Sequence, residues 1–185
     1  MNEMHSRKRL LVVGAIAALL AACTDEAPFS PDQQATMPAQ FAALPGADPK
    51  GAIATLQRAT ARYHNLNAAV DDGFVLLHPC EERPGEGPVG IVYVNMERLV
   101  DGVIDPETPD ALIYEPVANG QPRLVGVEFA LPYALWSAPE PPAFLGAAFQ
   151  PEDEFGVWAL HVWVWRMNPE GLFAESNPRV SCDAA

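Results

Sequence analysis

The pattern of this chain changes at Gly73, and that change restricts the fold more than any other feature. Ahead of it, Ile53, Leu56, Thr60, Tyr63, Leu66 and Val70 recur at helical spacing. Asp48 offers an N-cap, Pro49 suits the first turn and Gly73 supplies a stop, so the spacing predicts a helix over 49–71. After Gly73 the apolar runs are short, rich in Val, Ile and aromatic residues, and bounded by Pro and Gly. They predict strands at 74–77, 89–95, 111–117, 123–131 and 157–166. Asn119-Gly120, between the third and fourth, is a strong hairpin signal, so those two strands should pair. Residues 96–110 read as a short helix or an irregular crossover, and 132–153, with five prolines, as a long ordered loop. The class expected is α+β, with one N-terminal helix packed on a mostly antiparallel sheet that can curl toward a barrel.

Near the start, Arg7, Lys8 and Arg9 precede thirteen apolar or small residues at 10–22, which close on Leu20, Ala21, Ala22 and Cys23. A basic region, an apolar run and a small-residue end have the layout of an export signal. A bilayer span needs about 20 apolar residues, so this run is short for one. The segment resembles the lipobox of bacterial lipoproteins, whose cysteine is lipidated and becomes the first residue after cleavage. That resemblance implies a signal peptide at 1–22, lipid on Cys23 and a membrane-anchored protein of the cell envelope. In a Gram-negative host, Thr24 at the next position implies the outer membrane. Residues 23–48, mostly Ala, Pro, Gln, Asp and Thr, cannot bury a core and read as a lipidated tether. The remainder, 49–185, is expected to be a single globular domain.

Of 24 acidic and 11 basic side chains, the signal segment holds Glu3 and three of the bases, leaving 23 against 8. Such a surface repels phosphate backbones, which argues against nucleic-acid binding. The short acidic clusters at 81–82 and 152–154 read as solvated loop. With Cys23 taken by lipid, Cys80 and Cys182 remain, and an exported protein most simply pairs them. Neither has the spacing of a zinc finger.

Period-2 alternation sorts candidate site residues by face. At 160–166 one face carries His161, Trp163 and Trp165, and the other Leu160, Val162, Val164 and Arg166. At 125–131 one side carries Val125, Val127, Phe129 and Leu131, and the other Gly126, Glu128 and Ala130. A covered Glu128 needs a cation, a histidine or a metal beside it, and Glu115 poses the same question. Glu128 and His161 with one further histidine, His64 or His78, would suffice chemically for a divalent metal. The chain has no GxSxG, P-loop or HExxH and no GxGxxG that opens a helix after a strand, which leaves no footing for hydrolase triads or nucleotide chemistry.

The segments LVDGVIDPETPDALIYEP, RLVGVEF and LHVWVWRMNPEGLFAESNPRVSC resemble a family of secreted bacterial proteins without an established activity. In that family a tyrosine-bearing helix precedes a first cysteine. The resemblance covers 59–182 and implies one domain with a structural cysteine pair. The family pattern carries histidine where Val92 stands, so either that histidine is no ligand or this chain has lost or rebuilt the site.

Three readings of function follow. One is a small-ligand-binding module on the envelope, with an aromatic pocket formed by Tyr93, His161, Trp163 and Trp165. The second is a metal-dependent enzyme in a small barrel using Glu128 and His161. The third is a structural envelope protein whose aromatic face is its core.

Overall fold

The computed structural model describes residues 40–41, 49–83, 87–118 and 120–184. The expected leader at 1–22, Cys23, Thr24, Asp48 and Asn119 lie outside the described residues, as does the expected tether apart from 40–41. Helix and strand are mixed, and the main sheet is antiparallel and curled into a half-barrel. The helical segment is not the first described element. Strand β1 (Gln40–Phe41) precedes it and pairs in parallel with β4 (Val103–Ile104).

The single helix expected over 49–71 is broken into α1 (Pro49–Thr60), a 3-10 turn (Ala61–His64) and α2 (Leu66–Asp71). Asn65 makes the break. It takes an extended conformation, and its side chain accepts from the Asn67 amide at 3.1 Å, capping α2 and offering the backbone an alternative to continued helix. The sheet supports the break, because the buried Tyr114 hydroxyl donates to the Tyr63 carbonyl at 2.8 Å. At the far end Phe74 N–H bonds to Ala69 O and Gly73 N–H to Val70 O, a Schellman closure with Gly73 at φ +90°.

Six strands run in the order β2 (Val75–Arg83), β3 (Gly87–Val94), β5 (Ala111–Glu115), β6 (Arg123–Pro132), β10 (Val157–Val162), β9 (Gln150–Glu152), every neighbour antiparallel. The pairing expected for the runs around Asn119-Gly120 is that of β5 with β6. Strand β2 outlasts its expected end at Leu77 by passing through Pro79 and Cys80. It does so as an edge strand with three register shifts against β3, where a residue lacking an amide proton is tolerated. The segment 96–110 opens with α3 (Met96–Asp101), ended by Gly102 at φ +71°. The expected loop at 132–153 contains a 3-10 turn (Tyr133–Leu135), the hairpin of β7 (Ala143–Phe144) and β8 (Ala147–Ala148), and β9.

One face of the sheet packs Leu112, Tyr114, Leu124, Val127, Phe129, Leu131, Leu160 and Val162 against Leu56, Tyr63, Ala69 and Phe74 of the helical segment and against Phe149. The other face packs Val89, Val92, Val94, Ala111, Ile113 and Val125 against Trp163 and Val180. Val125 departs from its expected side. A register shift opposite Ile113 and Tyr114 makes it the extra residue of a bulge, so it joins the face of Gly126.

The C-terminal segment returns across this second face. Asn177 N–H bonds to Pro88 O, and Ser181 N–H to Glu115 Oε1 at 3.3 Å. Glu115 is thus tied to the tail and, across the strand pair, to Arg123 at 3.1 Å. The disulfide Cys80–Cys182, with Cα atoms 5.5 Å apart, fastens the tail to edge strand β2. The tail covers one end of the concave face and leaves the other for a cavity.

Candidate functional site

The cavity follows from side-chain size. Along β6 and β10 the concave face receives Glu128, Ala130, Val157, Ala159 and His161, and β5 adds Ala111; the alternate positions carry Phe129, Leu131 and Leu160. Small side chains leave room, and a cavity of about 190 Å³ results. Leu77, Val94, Met96, Leu99, Phe155 and Val157 supply apolar walls, and Glu128, Glu152, His78 and His161 the polar lining. His78 of β2 stacks on Phe155, ring centroids 6.2 Å apart, so the curl brings together the two edges of the sheet.

Glu128 and His161 face each other across the β6–β10 pair, Oε2 to Nε2 at 3.4 Å. Their side chains are 14% and 3% exposed, so the pair is shielded but reachable from the cavity through the carboxylate. The other ring nitrogen, Nδ1, lies 2.7 Å from the Glu175 carbonyl. Two acceptors on opposite ring nitrogens call for a proton on each. Burial alone would lower the imidazole pKa, but the hydrogen bond and charge of Glu128, with the charge and carbonyl of Glu175, raise it to about 9. Both the geometry and these charges favour a buried imidazolium for His161 at neutral pH.

The expected quartet of Tyr93, His161, Trp163 and Trp165 does not converge. His161 lines the cavity and keeps Trp163 beside it, with centroids 6.2 Å apart. The Trp163 indole donates to Ala174 O at 2.6 Å and lies over Gly126, where a Cβ would stand 3.1 Å from Val162 O and 3.3 Å from the indole. Tyr93 packs edge-on to Tyr114 on the helix side. Trp165 is on that side too, donating to Thr60 Oγ1 at 3.1 Å and meeting His64. The reason is that β10 ends at Val162 rather than continuing to 166. A tight Val164 N–H to Val162 O contact turns the chain, and the alternation that would have aligned the tryptophans stops.

Of the two histidines expected beside Glu128 and His161, His78 reaches the cavity and His64 does not. Val92 is buried on the concave face, within the layer that includes Trp163. Sequence reasoning passed over Glu152 and Glu175. Each offers an oxygen within 4.8 Å of the other's and of a His161 nitrogen. Glu152 sat in an acidic run read as loop; a signal for it lies in β9, which pairs it with Val157 on the strand of His161. Asp110 was also passed over. It is buried, its Oδ2 accepts from the Ala130 amide at 2.9 Å, and its Oδ1 has no hydrogen-bond partner among the described residues.

Comparison with protein-family models, with curated proteins and with solved structures finds no match to this chain.

Proposed function

We propose that this chain is an envelope-anchored binding module that holds a small, largely apolar ligand in the concave cavity. The observation that supports this reading best is the cavity itself, apolar on most of its walls with a few polar groups gathered among them. A cavity of roughly 150 Å³ accommodates benzene. One of about 190 Å³ suits a small aromatic of one or two fused rings or a short chain. The walls are mainly aliphatic, with Phe155 at the mouth, so grip comes from shape and exclusion of water rather than from an aromatic box. A polar group on the ligand would meet Glu128 or Glu152. Anchoring at Cys23 rests on the sequence at 7–23 and its likeness to a lipobox.

The test is a titration of the full chain with indole and with 1-hexanol, followed by NMR of the Val94, Leu99 and Val157 methyls. Saturable shifts are expected, and Ala130→Leu, which fills the cavity, should abolish them. Absence of saturable shifts, or shifts unchanged in Ala130→Leu, would count against the reading.

A further inference from the structure

Beside the apolar walls, a second group of side chains gathers around His161. Glu152 of β9, His161 of β10 and Glu175 of the C-terminal segment each bring one donor atom within 4.8 Å of the other two. Three atoms so spaced share a point no more than about 2.8 Å from each, against bonds of about 2.0–2.2 Å from nitrogen or carboxylate oxygen to zinc. Closing that gap takes a shift of under about 1 Å per donor, within reach of two half-buried glutamate side chains.

The backbone under each donor is already pinned. Glu152 and His161 lie on adjacent paired strands, and the Glu152 carbonyl accepts from the Phe155 and Gly156 amides. The loop carrying Glu175 is held by Asn168 Nδ2 on Ser176 O at 2.7 Å and by Asn177 Nδ2 on Arg166 O at 3.1 Å. The imidazole has an acceptor at each nitrogen, the Glu175 carbonyl and the Glu128 carboxylate. An ion takes the place of one imidazole proton, and the remaining contact keeps the ring aimed. Metal-bound histidines hold their second nitrogen on just such a carbonyl or carboxylate.

We propose that Glu152, His161 and Glu175 form a binding site for a divalent transition-metal ion at the polar end of the cavity. One imidazole with two carboxylates favours zinc, manganese, iron or cobalt over calcium and magnesium, which take all-oxygen shells, and over copper(I), which takes sulfur. The site goes beyond the apolar ligand and does not need one to be present.

The experiment uses the full chain, disulfide intact and without a polyhistidine tag, equilibrated with zinc, manganese or cobalt. Bound ion is measured by inductively coupled plasma mass spectrometry, and cobalt coordination by visible absorption. An ion-to-chain ratio near unity is expected. Glu152→Gln and Glu175→Gln, both at half-buried positions, should weaken binding at least as much as the 10- to 100-fold typical of lost supporting contacts. The cobalt spectrum should change in both variants. No retained ion, or a ratio and spectrum unchanged in both variants, overturns the site. Ala130→Leu should keep the metal while losing indole, so failure of the metal site and failure of the apolar-ligand reading appear in different proteins.

Discussion

The two faces of the half-barrel are built from the same strands and do opposite things. On β6, Val127, Phe129 and Leu131 point to the helix side, while Gly126, Glu128 and Ala130 point to the concave side. On β10, Leu160 and Val162 oppose Ala159 and His161 in the same way. The helix-side face is filled by large side chains, with Phe129 against Phe144 at 5.0 Å and Tyr63 against Phe74 at 5.3 Å. The concave face is filled by Trp163 and Val180 at one end and underfilled at the cavity, where its charged groups answer one another. A buried carboxylate or imidazole without a partner would cost several kcal/mol, which the Glu128–His161 pairing offsets. The helix-side face is thus packed along its length, and room for a ligand or an ion is left at one end of the other.

The sharpest way to break this comparison is to truncate a side chain on each face. Phe129→Ala should cost about 3–5 kcal/mol in chemical denaturation, and Val157→Ala on the cavity wall less than about half of that. Equal losses would mean the two faces share the load. Next in size is the disulfide, which closes 102 residues but fastens the tail only to the concave side. Replacing Cys80 and Cys182 with serine should lower stability by about 2–4 kcal/mol. Amide exchange should quicken first at Asn177 and Val180, ahead of Phe129. Uniform quickening would show that both faces open as one unit.

The smallest effect, taken over a single pH unit, concerns Asp110. Burial raises its carboxyl pKa to about 8; the Ala130 amide and Arg98 oppose the rise, and Asp101 and Glu128 reinforce it. Between the unfolded value near 3.8 and about 8 the folded protein holds a proton that the unfolded chain has released. Stability contributed by Asp110 therefore falls as pH rises through that window, by on the order of 1 kcal/mol per unit at most. Asp110→Asn should flatten the slope in urea melts run from pH 4 to 8. A slope unchanged in that variant would place the proton elsewhere.

Much of the strand plan was legible because alternation is local. The runs at 111–117 and 123–131 match β5 and β6 closely, and the adjacency of Glu128 and His161 follows once β6 and β10 pair. The tryptophan face was not legible, because it depends on where β10 ends. That end is set by contacts from elsewhere, Trp163 N–H on Leu172 O and Trp165 N–H on Val125 O. Glu175 was invisible for a related reason. It belongs to no periodic segment, and only the returning tail brings it to His161.

By itself, the sequence determined the helix-to-strand order, the alternation of Glu128 and Ala130 against Val127, Phe129 and Leu131, and the two cysteines available to pair. Each depends on the identity of a residue and its near neighbours, which a linear pattern carries in full. Only the tertiary structure decided that the helix breaks at Asn65, that Tyr93 and Trp165 turn away from His161, and that Glu152 and Glu175 turn toward it. Those outcomes depend on which distant backbone groups need partners and on how far the sheet curls before its edges meet, quantities that exist only once the chain has closed on itself.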